Sequence, residues 1–225
     1  MDMNWPSIIP KVEPLVFRVH AGEFMGTAFA VGVSDSDGGR HTMLATALHV
    51  VQSVLGNDRP IDLLRGDGVW LSTLSEGPIV IRPVGPPEFD IALIQVSTKE
   101  PLLTRSQLLP MPLETMLPRG ADVGWLGYPG LAFPELCFFR GVVSGYRERP
   151  PLYLLDGVAI NGVSGGPAFD RDGLLIGIVS AYLPNQITHS TTLPGLMMLT
   201  PINIVRLYLE EDMGARVLSR ESAGR

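Results

Sequence analysis

One cysteine, Cys137, stands among the 225 residues, so no intrachain disulfide can form. The four histidines fall into no cysteine–histidine spacing of the kind that holds zinc, so neither a metal nor another cofactor is expected. Basic residues are also scarce, 17 Lys and Arg against 23 Asp and Glu, a net charge of −6. That leaves no basic field to displace counterions from phosphates, which excludes nucleic acid as a partner. The most apolar stretch, Leu174 to Leu183, is about ten residues long, against roughly 20 for a membrane-spanning helix. No membrane partner is expected. The opening Met1-Asp2-Met3-Asn4-Trp5-Pro6 lacks the basic and then apolar segments of a secretory leader. Together with the lone cysteine this favours a reducing, cytoplasmic location.

What is abundant is Gly (25) and Pro (20), about one residue in five, in a chain that is 45% hydrophobic and only 18% charged. Such a chain can bury a large core but punctuates helices badly, so a helical bundle is excluded. Short β-rich runs recur instead: 15–19, 27–33, 42–46, 68–74, 79–84 and 91–96, then 121–126, 137–144, 152–155, 174–181 and 196–199. The pattern reads all-β. Residues 101–120, with Pro101, Pro110, Pro112 and Pro118 and no strong alternation, form a connector. The whole of 1–225 is expected to be one domain: a first half over about 12–100, the connector, a second half over about 121–200, and a C-terminal helix and tail over 201–225.

Gly162-Val163-Ser164-Gly165-Gly166-Pro167 carries the chemistry. A serine hydroxyl becomes a useful nucleophile only where a base and an oxyanion site converge on it. Glycines let successive N–H groups turn toward one point. The letters also fit the Gly-x-Ser-x-Gly of α/β-hydrolases, but Pro167 stands where a helix must begin. The only downstream histidine, His189, follows too closely for the β-α units that fold requires. Upstream, His49 sits in the apolar run Leu44–Val51, read as a strand that ends where a short turn begins, and Asp90 precedes the apolar Ile91-Ala92-Leu93-Ile94. Alone, such a histidine is a capped or core residue and such an aspartate a turn residue. Together with Ser164, in this order, they suggest a nucleophile, a base and an orienting acid.

These segments resemble the trypsin-like, chymotrypsin-fold serine peptidases from about Val16 to Leu209. The likeness rests on Gly26-Thr27-Ala28-Phe29, Thr46-Ala47-Leu48-His49, Asp90-Ile91-Ala92-Leu93, the Ser164 segment, and Gly177-Ile178-Val179-Ser180. Trp125-Leu126-Gly127-Tyr128-Pro129 looks closer to the bacterial branch that includes the HtrA proteases than to the secreted digestive enzymes. The resemblance implies two antiparallel six-stranded β-barrels with a short C-terminal helix and a cleft site between the barrels. Its implied catalytic residues are His49, Asp90 and Ser164. Its implied oxyanion donors are the N–H groups of Gly162 and Ser164. Ser180 would bond Asp90, and the Ser180-Ala181-Tyr182 segment would line the substrate site.

The sequence departs from the digestive enzymes at Val163, where they carry an aspartate that pairs with a newly cut N-terminus. Here the oxyanion loop must be ordered by local contacts, substrate or a partner. Val158, at the position of the first pocket's base, offers a cationic side chain no carboxylate. With a bulky Tyr182 on the wall, small or medium apolar P1 residues are expected. The expected activity is a serine endopeptidase acting on a peptide or protein substrate. The alternative is a catalytically silent peptidase fold that binds peptides. An unrestrained protease endangers a cytoplasm, so a regulatory protein partner, a specific target or a self-limiting resting state is also expected. Cys137, in an apolar run, reads as a buried small hydrophobe.

Overall fold

The computed structural model describes residues 4–36, 39–56, 60–72, 79–112, 116–188 and 191–211; the side chains of 35, 36, 39, 182–188 and 191–195 lie outside that description, as does His189. Alternation builds the first sheet. In β1 (Val16–Ala21), Phe17, Val19 and Ala21 enter one apolar core, while Arg18 and His20 lie on the opposite face. With β2 (Phe24–Ser36), β3 (Gly39–Ala47), β4 (Ile61–Arg65), β5 (Trp70–Ser72), β6 (Ile79–Pro83) and β7 (Ile91–Thr98) it forms a seven-stranded antiparallel sheet in the order β5-β4-β1-β2-β3-β7-β6.

The second half is a closed barrel of six strands, β8 (Asp122–Gly127), β9 (Cys137–Glu148), β10 (Pro151–Asp156), β11 (Pro167–Phe169), β12 (Leu175–Thr188) and β13 (Thr191–Pro201), in the order β10-β13-β12-β11-β8-β9. The fold is therefore all-β, as expected, with one difference in the first half. There the expected six-stranded barrel is a curled sheet of seven, and no β5–β6 pairing closes it among the described residues. The added strand is β4, where polar Asp62 and Arg65 hide the alternation of buried Ile61 and Leu63.

Strand β7 shows how the halves join. Ala92, Ile94 and Val96 fill the first core, while Ile91 and Leu93 face a second cluster with Leu126, Phe169, Leu175 and Ile178 of the closed barrel. A strand buried on both faces reads as a continuous apolar run. Two helices complete this seam. Helix α1 (Trp5–Val12) carries Pro6 in its first turn and inserts Trp5, Ile8 and Val12, spaced for one helical face. A C-terminal helix over 203–211 adds Val205, beside Ile202. The connector is tied down at its middle, Leu175 N–H donating to the Pro110 carbonyl at 3.0 Å and Arg206 Nη1 to the Met111 carbonyl at 2.5 Å.

Candidate active site

Strand β3 ends at Ala47, and the chain turns into one helical turn, α2 (Leu48–Val51), that carries His49. Asp90 sits at the same end of that strand pair, just before β7, which runs antiparallel to β3 in the register Ala47↔Ile91. Its backbone is left-handed (φ 54, ψ 45), a region aspartate tolerates better than most residues. Two main-chain bonds hold it there: Asp90 N–H to the Pro87 carbonyl and Leu48 N–H to the Asp90 carbonyl, both 3.0 Å.

From that position the Asp90 carboxylate takes three donors. The His49 N–H reaches Oδ1 at 3.0 Å, His49 Nδ1 lies 2.8 Å from Oδ2, and the Ser180 hydroxyl donates to Oδ2 at 2.6 Å. Burial pushes the Asp90 carboxyl toward neutrality, but the hydrogen bonds from His49 and Ser180 outweigh it and hold the group below its ordinary value of 3.8. The carboxylate therefore stays ionised. An ionised acceptor at Nδ1 assigns the proton to that nitrogen, which leaves Nε2 as the free lone pair of a base.

Ser164 lies in the turn between β10 and β11. Its hydroxyl donates to the Ser180 carbonyl at 3.2 Å, and no hydrogen bond joins it to His49 among the described residues. Ser180 thus connects both parts of the site: its hydroxyl to the acid and its carbonyl to the nucleophile. Around Ser164 the N–H groups alternate in use. Val163, Gly165 and Gly166 donate to the carbonyls of Ile160, Val179 and Val163, whereas those of Gly162 and Ser164 donate to no carbonyl among the described residues. Two unspent donors, one of them the serine's own N–H, suit a developing oxyanion.

Glycine is required at two of these positions. Gly162 has φ +97 and a Cβ there would strike the Tyr128 carbonyl; Gly165 has φ +87 and a Cβ would strike the Thr27 carbonyl and the Thr46 hydroxyl. The second contact identifies residues to which the motif reading assigned no role. Thr27, fully buried on β2, donates from Oγ1 to the Gly162 carbonyl at 2.7 Å and accepts the Tyr128 N–H at 3.1 Å. Its own N–H donates to the Ser164 carbonyl at 2.8 Å, and its carbonyl accepts from the Thr46 hydroxyl at 2.7 Å. Thr27, braced by Thr46 within the first half, thereby clamps the nucleophile loop of the second. Val163 is fully buried in the closed barrel's core, so local contacts order this loop without a charge.

The expected substrate-site residues divide. Ser180 is buried and bonded as described; Ala181 follows it, half-buried on β12. Val158 is 55% exposed, an open position and no enclosed floor. Tyr182 pairs with Met197 through its backbone, while its side chain lies outside the described residues. Cys137, expected in the core, is half-buried at the start of β9. Its apolar neighbours belong to strand faces, so the run gave no measure of depth. No group of three or more His, Cys, Asp and Glu able to hold a metal occurs among the described residues.

A family model described as a trypsin-like peptidase domain matches residues 26–178, more than half of the chain. Among curated proteins none matches in sequence. Among solved structures, the serine endoprotease from Yersinia pestis superposes with a TM-score of 0.67 over 94% of this chain and 67% of that one, at 17% identity. At that identity the likeness is one of fold.

Proposed function

The chain belongs to the trypsin-like peptidase family, and we propose that it is a serine endopeptidase in which Ser164 is the nucleophile, His49 the base and Asp90 the orienting acid. The observation that carries the proposal is the ionised Asp90 carboxylate on His49 Nδ1, 2.8 Å away, in the same site as Ser164 with its two unspent N–H donors. A binding module has no use for a base prepared in this way.

The hydroxyl of Ser164 leaves the Ser180 carbonyl and turns to His49 Nε2, which takes its proton as Oγ attacks the scissile carbonyl. The Gly162 and Ser164 N–H groups receive the oxyanion. As the tetrahedral species collapses, His49 returns the proton to the leaving amine, and an acyl group remains on Ser164. Water, deprotonated by His49, then releases the acid and restores the serine. Asp90 stays charged throughout and stabilises the imidazolium.

The substrate is a peptide or protein segment laid along Ser180–Tyr182 as an added strand. Small or medium apolar P1 residues are the proposed preference, since Val158, though exposed and not a pocket floor, offers a cationic side chain no carboxylate. The bacterial HtrA-like branch remains the closer comparison on sequence motifs. A second reading, a silent peptide-binding fold, draws on the Ser164 hydroxyl bonding Ser180 instead of His49. A quenched peptide library separates the two. Endopeptidase cleavage after small apolar residues by the wild type, absent in Ser164→Ala and His49→Ala, is expected. Peptide binding without cleavage by the wild type would establish the second reading.

A further inference from the structure

Gly130 gives its N–H to one acceptor, the Asn161 carbonyl, at 2.8 Å. The peptide joining Asn161 to Gly162 is trans, so its C=O and N–H point in opposite directions. Whatever holds the Asn161 carbonyl therefore aims the Gly162 N–H away from the 128–130 segment. That segment also backs Gly162 directly, since a Cβ on Gly162 would meet the Tyr128 carbonyl and come within 3.0 Å of the Gly130 nitrogen.

We propose that Gly130 is a positioning residue: its backbone N–H sets the orientation of the Asn161–Gly162 peptide and so keeps the oxyanion donor of Gly162 ready in the free enzyme. The inference rests on the peptidase reading above and deepens it. Three contacts steady the turn that carries Gly130. Ala132 N–H donates to the Pro129 carbonyl at 3.0 Å, Glu135 N–H to the Ala132 carbonyl at 2.8 Å, and the Arg18 guanidinium sits 4.4 Å from the centre of the Phe133 ring. The same turn exposes Leu131 at 84% of its surface. A donor buried in the catalytic loop is thus governed from a surface turn of a different segment.

The test is Gly130→Pro beside Gly130→Ala. Proline deletes this one N–H and puts its Cδ where the proton met the Asn161 oxygen, so the carbonyl must turn away, while the backbone accepts it: Gly130 is the first residue of its 3₁₀ turn, and Pro129 has ψ 134, the extended geometry preferred before proline. Alanine keeps the N–H, and its Cβ would lie an ordinary 3.6 Å from the Asn161 oxygen. Loss of a whole oxyanion donor costs roughly 10²–10³ in kcat, so a misaimed one is expected to cost about 10- to 100-fold, with KM changed less than about twofold. The pH profile is expected to keep its midpoint, and Gly130→Ala to remain close to wild type. A folded Gly130→Pro enzyme with kcat within about threefold of Gly130→Ala would overturn the proposal.

A second measurement needs no variant. In the isotope-labelled wild type, a scalar coupling across the hydrogen bond from the Gly130 nitrogen to the Asn161 carbonyl carbon is expected, and phenylboronic acid is expected to shift the Gly162 amide proton. Absence of the coupling overturns the proposal whatever the activity. An inert wild type that shows both signals upholds the positioning and counts against the peptidase reading alone.

Discussion

Asp90 concentrates three hydrogen bonds on a carboxylate that burial alone would neutralise, and its substitution has two separable consequences. Asp90→Asn leaves the shape intact but removes the acceptor that fixes the His49 tautomer, so kcat is expected to fall by on the order of 10³–10⁴ in peptide hydrolysis. Its folded pKa lies below 3.8, so its contribution to stability is fully present above that value and is lost as pH falls through the lower, folded one. Urea unfolding of the wild type is expected to weaken across that acid range, and that of Asp90→Asn to weaken less. An equal loss in both proteins would assign acid sensitivity to other groups. Thr27 makes a different demand. Thr27→Val preserves volume but leaves the Gly162 carbonyl and the Tyr128 N–H without a partner, at about 1–3 kcal/mol for each buried group. Thr27→Ser keeps the hydroxyl and is expected to unfold within about 1 kcal/mol of wild type, reflecting one lost methyl.

At the scale of elements, the seam between the halves is held as much by the helices as by the strands. Trp5 packs against Phe138 and Phe169, ring centres 5.4 and 6.0 Å away, and Ile8 beside it is 1% exposed. Ile8→Ala is expected to cost about 2–5 kcal/mol in urea unfolding. A loss below about 1 kcal/mol would mean that α1 is only loosely docked. This helix was illegible in the sequence because Pro6 and Pro10 fall within eight residues, and the Trp5, Ile8, Val12 spacing is too short to show as a period. Strands β4 and β11 escaped for related reasons, the first through its polar positions and the second through having three residues. The apolar runs 91–94 of β7 and 175–179 of β12 were legible, since burial on both faces there leaves no polar interruption. His49, Asp90 and Ser164 were legible as well, because their surrounding motifs are dense in residues with narrow conformational choices. The roles of Thr27 and Gly130 were not. Each depends on a main-chain partner more than 30 positions away, and no local pattern encodes that.

For the whole molecule, the proposed reaction draws on both halves. His49 and Asp90 come from the first sheet, Ser164 and Ser180 from the closed barrel, and the bonds from Thr27 and Ser180 cross between them. In the proposed peptidase the acid–base pair is already bonded, while the serine hydroxyl rests on the Ser180 carbonyl. The measurement that tests this most directly is labelling of the folded protein with a fluorophosphonate probe, read by mass spectrometry. The account predicts one adduct on Ser164, strongly slowed in His49→Ala and absent in Ser164→Ala. A folded wild-type chain that takes up no probe would contradict it.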